Sequence, residues 1–408
     1  MPADFHVAII GAGIGGLSLA QSLKRLGVPF TVFEKDPALD SRTQGYRIRI
    51  DEAGRGALAD CLPPALYRLF RRSCAQTGPA GRFFDTQLRE TVGRAAEHWR
   101  PATQTEDSEH DGGDLRVHRQ TLREILLCGI EAHVQFGKGF ARFRQQGDKL
   151  AIDFDDGASR LCDVLVAADG VHSQVRRQLA PNAAPAETGA VCLYGKTLLT
   201  PANRQRLEPR LCAGPAVVFA DECVVVIDAM TFAAPLPGLA TQAGLAGRFS
   251  AVDDYLYWAL YCPQSMFAQA TPNGEAAAGA EWAARLASVA RDWHPDLQAA
   301  FRLAEPASLA LMRVRSGNAN ANWPAGPVTV LGDAMHAMSP AGGLGANTAL
   351  RDAAALAAQL GIAAAGQQPL AVSLASYQSG LRARAAEAIR LSQDAEDQLL
   401  ERRTFSPH

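Results

Sequence analysis

At 408 residues, with 48% hydrophobic and 20% charged positions and a formal net charge of −2, the chain has the balance of a globular protein and length for two domains sharing an interface. That charge gives no footing for nucleic acid or an anionic membrane, and no uncharged apolar run is long enough for an integral membrane segment. The eight cysteines show no C-x-x-C or metal-ligand spacing, and the N-terminus lacks the basic region of a signal peptide, so a reduced cytoplasmic protein without a metal is expected.

The chain opens as strand, glycine turn, amphipathic helix and second strand. VAII, from Val7 to Ile10, is a continuous apolar run suited to a strand buried on both faces. Leu17, Leu19, Ala20, Leu23 and Leu26 recur at helical spacing, Gly27 ends the helix, and FTVFE returns as a strand, completing a βαβ unit. Its turn, GAGIGG, fits G-x-G-x-x-G as Gly11, Gly13 and Gly16, with Gly15 inside the same loop. The first glycine permits the tight turn, the second lets backbone approach a pyrophosphate, and the third lets helix and strand pack closely. Glu34, about 20 residues further on, stands where a carboxylate can accept hydrogen bonds from a ribose diol, and Lys35 follows it. A dinucleotide is the expected ligand, but this unit alone does not separate FAD from NAD.

Arg49, in GYRIRID, alternates with Ile48 and Ile50 and either faces solvent or points toward a cofactor. The polar stretch from Arg100 to Asp114 reads as a mobile surface loop. Helical pattern resumes from Val117 to Ala132, with Arg119 near its start. A hairpin-like segment then leads to the buried strand DVLVAAD, which ends at Asp169. A carboxylate there rarely goes unpaired, so Asp169 either orders the next turn or helps to bind the cofactor.

Beyond Gly189 the character changes. PAVVFADECVVVIDAM and DDYLYWALYCP read as strands, and AGAEWAARLASVARDWHPDLQAAFRLA as a covering helical region. The apolar sheet around residues 215 to 263 is expected to wall a substrate pocket, with strands around Arg47 and Phe83 joining it. Tyr46, Tyr255, Tyr257 and Trp258 could line that pocket, although strand aromatics more often fill a core.

Val328 to Leu331 is another buried strand, after which Gly332 turns the chain so that Asp333 projects from its carboxyl end. His336 is expected to fix this loop rather than to bind a metal. Pro340 to Asn347, including Gly343, Gly345 and Ala346, forms a glycine-rich loop opening a helix from Thr348 to Leu360. Its free N–H groups and positive helix end suit negative charge, and its small residues admit a flat ring. A helical tail runs from about Leu370 to Arg403.

Three of these segments, VAIIGAGIGGLSLAQSL, DVLVAADGVHSQVRRQL and VTVLGDAMHAMSPAGGLGANTAL, together resemble the FAD-dependent aromatic hydroxylase family, the single-component flavoprotein monooxygenases. The resemblance covers the cofactor-binding portions and not the middle of the chain. It implies an α/β fold: a Rossmann-like FAD-binding domain, an interleaved α+β substrate domain of mixed sheet plus helices, and a C-terminal helix. The expected limits are 1–80, 111–188 and 309–365 for the FAD-binding domain, 81–110 and 189–308 for the substrate domain, and 366–408 for the helical segment.

The resemblance implies FAD as cofactor, NADPH or NADH as co-substrate, and O2. Flavin reduced by NAD(P)H would form a C4a-hydroperoxide and insert one oxygen atom into an aromatic or polyketide-like small molecule. Asp333 matches the aspartate that the family places on the sugar portion of FAD, and Arg119 matches its FAD-facing arginine, the other reading being a surface helix arginine. Asp169, Gly170, Ser173 and Arg176 match D-G-x-x-S-x-x-R, which in the family supports FAD and the coenzyme pyrophosphate. The W-x-W-x-I-P element of flavin halogenases is absent, and no catalytic base stands out. The alternatives are a flavin-dependent dehydrogenase or reductase on the same scaffold, or a non-catalytic flavin-binding partner. Oligomeric state, and the choice among hydroxylation, epoxidation and Baeyer–Villiger insertion, stay open.

Overall fold

The structure, a computed structural model, describes residues 5–41, 45–76, 81–91, 113–267 and 275–401, with backbone only at 275–277, 400 and 401. The first third of the chain contains β1 (Val7–Ile10), α1 (Ile14–Arg25), β2 (Phe30–Glu34), β3 (Arg47–Ile50), α2 (Glu52–Cys61), α3 (Pro64–Ser73), β4 (Arg82–Asp85), β5 (Leu115–His118) and α4 (Arg119–Leu127). There follow β6 (Val134–Phe136), β7 (Phe140–Gln146), β8 (Lys149–Phe154), β9 (Ser159–Cys162), β10 (Val164–Ala167), α5 (Gln174–Leu179), β11 (Ala186–Leu198), α6 (Pro201–Arg204), β12 (Ala216–Phe219) and β13 (Val224–Met230). The remainder holds α7 (Leu236–Gln242), β14 (Tyr255–Pro263), α8 (Glu275–Val289), α9 (Pro295–Arg302), β15 (Ala310–Ser316), β16 (Val328–Val330), α10 (Asp333–His336), α11 (Gly345–Ala364) and α12 (Leu370–Glu401). No helix among the described residues is long and apolar enough to cross a membrane.

Five strands form a parallel sheet in the order β16-β10-β1-β2-β6. Every residue of β1, β10 and β16 is buried, which is why these strands read as unbroken apolar runs. From β1 the chain goes first to β2 on one side and later to β10 on the other. The sheet therefore has a switch point at β1/β10, with a crevice outside the carboxyl ends of the strands.

A second sheet of six strands runs β15-β11-β14-β13-β12-β4, antiparallel except where β4 meets β12. Its two faces differ sharply. Leu193, Val225, Ile227, Leu256, Trp258 and Leu260 share a core with Trp282 and Leu286 of α8 and Leu297 and Phe301 of α9. Gly195 leaves room for the indole on that face, because a Cβ there would come within 2.5 Å of the Trp258 ring. The opposite face presents Tyr194, Lys196, Asp228, Tyr257, Ala259 and Tyr261. The expected apolar pocket wall is thus corrected: strand side chains alternate, and the apolar set lies under α8 and α9 while the free face is aromatic and charged.

Other expectations also change. The Arg47 strand, β3, pairs with β5 in a two-stranded sheet and does not join the six-stranded one, whereas the Phe83 strand, β4, forms its edge. β15 lies beyond residue 308 yet pairs with β11, so the chain leaves the second sheet later than expected. His118 ends β5 and α4 stops at Leu127, shortening the helix expected from Val117 to Ala132. α11 begins at Gly345, inside the glycine loop, and not at Thr348. The polar loop from Arg100 falls outside the described residues apart from Gly113 and Asp114.

Candidate functional site

At the carboxyl end of β1, four glycines do different work. Gly11 has φ +108°, a conformation in which a side chain is strained, and a Cβ there would collide with the Ala168 carbonyl after β10. A Cβ on Gly15 would stand 2.6 Å from the Leu331 side chain, and one on Gly16 would strike the Gly11 carbonyl. A Cβ on Gly13 would meet nothing within 4 Å. Three glycines therefore serve packing, and Gly13 borders open space at the start of α1. That helix has neither a side-chain cap nor an acid in its first turn, so its leading N–H groups are left for a ligand.

Glu34 is buried, and its two oxygens accept the Ala12 N–H at 2.8 Å and the Asp36 N–H at 3.0 Å. It braces the glycine turn from the end of β2, while Lys35 beside it is exposed. Arg123, one turn along α4 from Arg119, donates to the Ala12 carbonyl at 3.2 Å and to the Leu39 carbonyl at 2.6 Å. The sequence had singled out Arg119 alone. Arg119 differs in having a buried Nε without a partner, within electrostatic reach of Asp333 and Tyr194; burial pushes its pKa down.

Asp333 is exposed at the N-terminus of α10, directly after Gly332 (φ +62°). The loop that follows turns through Pro340 and Gly343 into α11, whose first turn carries no acid and whose N-cap supplies no side-chain bond. Gly345 and Ala346 thus offer main-chain N–H groups facing the Asp333 side of the crevice, and a Cβ on Gly345 would lie 3.8 Å from the Asp333 carboxylate. Arg49 donates to the Gly342 carbonyl at 3.1 Å, so it points toward the glycine loop, while also pairing with Asp114. Asn347 is different: it is buried, and its amide is committed to Arg49, Gly343 and Asp51 within the protein.

The Asp169 segment acts as a brace. Asp169 accepts the Gln174 N–H at 2.8 Å, Ser173 caps α5 by accepting the Arg176 N–H at 2.9 Å, and Arg176 reaches the Ala334 carbonyl at 3.0 Å. The two aspartate-bearing segments are thereby locked together. Turn ordering is thus established for Asp169, whose other oxygen is buried without a partner and whose pKa is raised by burial. Next to it, His172 receives Arg315 at 3.0 Å; burial lowers its pKa, and so do Arg315, Lys35, Arg176 and Arg177, which crowd it with positive charge.

The face of the six-stranded sheet turned away from α8 and α9 is polar. Asp228, fully buried on β13, pairs with Arg47 of β3 and Arg116 of β5. His118 bonds the Tyr255 hydroxyl at 2.9 Å, and burial, aided by Lys196, drops its pKa to about 3. Lys196 holds its ammonium 5.0 Å from the centre of the Tyr46 ring, and the Tyr194 ring meets that of Tyr46 edge-on at 6.2 Å. Tyr46 and Tyr255 are buried, whereas Tyr194 and Tyr257 are half-buried. Of these residues, Tyr194, Lys196, His118 and Asp228 carried no sequence signal beyond the alternation of polar and apolar positions along their strands.

The residues present fit FAD. An open glycine turn and two uncapped helix ends suit a diphosphate and an electron-rich ring, and Arg119, whose buried Nε has no partner, lies within electrostatic reach of Asp333.

Comparison with known proteins points the same way. Residues 9–69 match the family described as NAD(P)-binding Rossmann-like domain, and residues 261–392 match the FAD binding domain. The chain is 33% identical to the dual O-methyltransferase/FAD-dependent monooxygenase elcB of Phaeosphaeria nodorum, covering 98% of this chain and 46% of that protein. It therefore spans about half the length of that relative. It is 28% identical to the FAD-dependent monooxygenase nscC of Neosartorya fischeri, over 96% of this chain and 94% of the other. A solved structure from Photorhabdus luminescens, described as an FAD-containing monooxygenase, superimposes with a TM-score of 0.79 at 28% identity, covering 98% and 99% of the two chains. A salicylate hydroxylase complex shares the fold, with a TM-score of 0.71 at 19% identity over 98% of this chain and 90% of that one.

Proposed function

We propose that the chain is an FAD-dependent monooxygenase, which uses NAD(P)H and O2 to insert one oxygen atom into an aromatic or polyketide-like small molecule. One observation supports the reading: the glycine turn packs against Leu331 and Ala349, Gly345 lies beside Asp333, and Arg119 is within electrostatic reach of both Asp333 and Tyr194 of the six-stranded sheet.

In this reading Gly13 and the start of α1 receive the pyrophosphate, and Glu34 and Asp333 lie along the sugar side. Arg119 offers its free donor, while Gly345 and Ala346 present N–H groups to the ring. When bound, FAD would accept hydride from the nicotinamide and activate O2. The protein's own part is to orient the substrate against Tyr194 and Tyr257 and to keep water out. The cations around His172 are suited to the coenzyme's phosphates. We place the protein in the cytoplasm, where thiols such as these eight cysteines, seven of them buried, stay reduced.

The test is oxygen uptake by purified, FAD-loaded protein with NADH or NADPH across phenolic and polycyclic compounds. Coupled consumption with a product heavier by one oxygen atom supports the reading. Bound FAD that NAD(P)H never reduces, with any compound, would refute it. Asp333→Ala should stay folded and lose FAD on dialysis; if it stays as yellow as the parent, Asp333 does not hold the cofactor.

A further inference from the structure

One face of the C-terminal helix α12 makes three hydrogen bonds to the segment that carries Asp333 and the glycine loop: at β16, at α11 and at the loop between them. Tyr377 donates its hydroxyl to the Val330 carbonyl at 2.8 Å, at the end of β16. Arg384 donates Nε to Asp352 Oδ1 at 2.9 Å. Ser392 donates its hydroxyl to the Ser339 carbonyl at 2.6 Å. Tyr377 and Ser392 are buried, as are Leu381, Ala385 and Ala388 between them, so this face has no freedom to swing away.

The middle contact is the one with chemistry. Asp352, on α11, is fully buried. Its Oδ2 takes the Gly332 N–H at 3.2 Å and His336 Nε2 at 2.6 Å, while its Oδ1 takes Arg384. One carboxylate thus holds both ends of the segment that presents Asp333: the glycine before it and the histidine closing α10. That helix has only four residues, too few to hold itself by its own hydrogen bonds, and its N-cap supplies no side chain. The shape of the Gly332–Asp333 turn is therefore set by Asp352 and by whatever holds Asp352.

We propose that Arg384 and His336, acting through Asp352, are positioning residues for FAD: from the C-terminal helix they fix the turn that presents Asp333, and the proton on His336 sets how tightly FAD is retained. This rests on the FAD reading given above.

The charged groups facing His336 are Asp352 from α11, Asp333 from its own helix and Arg384 from α12 through the shared carboxylate; Arg176 of α5 reaches the carbonyl of Ala334 beside it. Burial alone would lower the histidine's pKa, but the charge and hydrogen bond of Asp352, with Asp333 adding, leave it raised. The sign follows. The imidazolium's contribution is fully present below the unfolded value near 6.5 and is lost as pH rises through the higher folded value. Neutral His336 can still donate to Asp352, but as an uncharged and weaker partner.

The experiment follows FAD release from the loaded full chain by flavin fluorescence, across pH, alongside thermal unfolding. Release from the parent should accelerate as pH rises above neutrality. His336→Gln keeps a donor but cannot titrate, so its release should be independent of pH. Arg384→Met should release FAD about tenfold faster, the worth of one charged hydrogen bond, and Arg384→Lys should recover much of the loss. A His336→Gln profile that still follows the parent's pH dependence, or parental release from Arg384→Met, overturns the proposal. So does pH-independent release from the parent, which leaves the FAD reading standing. A chain that takes up no FAD at any pH overturns both.

Discussion

The side-chain amide of Asn347 donates to the Arg49 carbonyl at 3.0 Å, tying the start of α11 to a strand 298 positions earlier. The same amide donates to the Gly343 carbonyl at 3.0 Å, and its oxygen accepts the Asp51 N–H at 3.1 Å, just where Asp51 caps α2. One buried side chain closes the glycine loop and anchors it to β3 and α2. Asn347→Ala should cost about 1–3 kcal/mol by stranding these buried groups, read as a lowered midpoint in chemical unfolding. An unchanged midpoint would mean that the loop closes without this amide.

The glycines of the first turn should separate fold from binding. Gly11→Ala forces a side chain onto a left-handed backbone and into the Ala168 carbonyl, so it should unfold well below the parent temperature. Gly13→Ala meets open space, so it should melt close to the parent yet bind FAD at least about tenfold more weakly, because its methyl occupies the approach to the helix end. Equal FAD affinity in Gly13→Ala and the parent would move the pyrophosphate elsewhere.

Asp228 neutralises two arginines in the interior between β3, β5 and β13. Asp228→Asn leaves two guanidinium groups without their counter-charge and should destabilise the protein by about 3–5 kcal/mol. Urea unfolding of the variant tests this, and a loss under 1 kcal/mol would show that both arginines find water or other acceptors.

Two buried histidines bend stability in opposite directions with pH. His118 is held neutral, with its folded pKa near 3, so the unfolded chain binds the extra proton. Stability from this group falls as pH drops from about 6.5 toward 3. His336 has a raised pKa and acts on the alkaline side. Unfolding free energy should therefore peak near neutrality. His118→Asn should flatten the acid limb even where it lowers the peak by losing the Tyr255 contact; an acid limb as steep as the parent's would assign it to other groups.

The cofactor half of the molecule was legible in the sequence because its chemistry is local. A buried parallel strand must read as an apolar run, as β1 does, and a tight turn with a left-handed backbone calls for glycine, as at Gly11. The division of labour within those motifs was not legible. Asn347 and Asp169 sit in the expected loops, yet their side chains hold protein together, while Arg123 grips the turn from a helix in which only Arg119 had stood out.

The six-stranded sheet shows the limit most clearly. VVVI and YLYWALY carry bulky apolar residues on both faces, and only their pairing decides that Trp258 lies under α9 while Tyr257 and the buried Asp228 take the other face of the sheet. A strand's two faces are equivalent in sequence until packing assigns one to the core. The same holds for Asp352, His336 and Arg384, distributed over three helices. No spacing rule joins them, because what brings them together is the long-range docking of α12 against the cofactor loop.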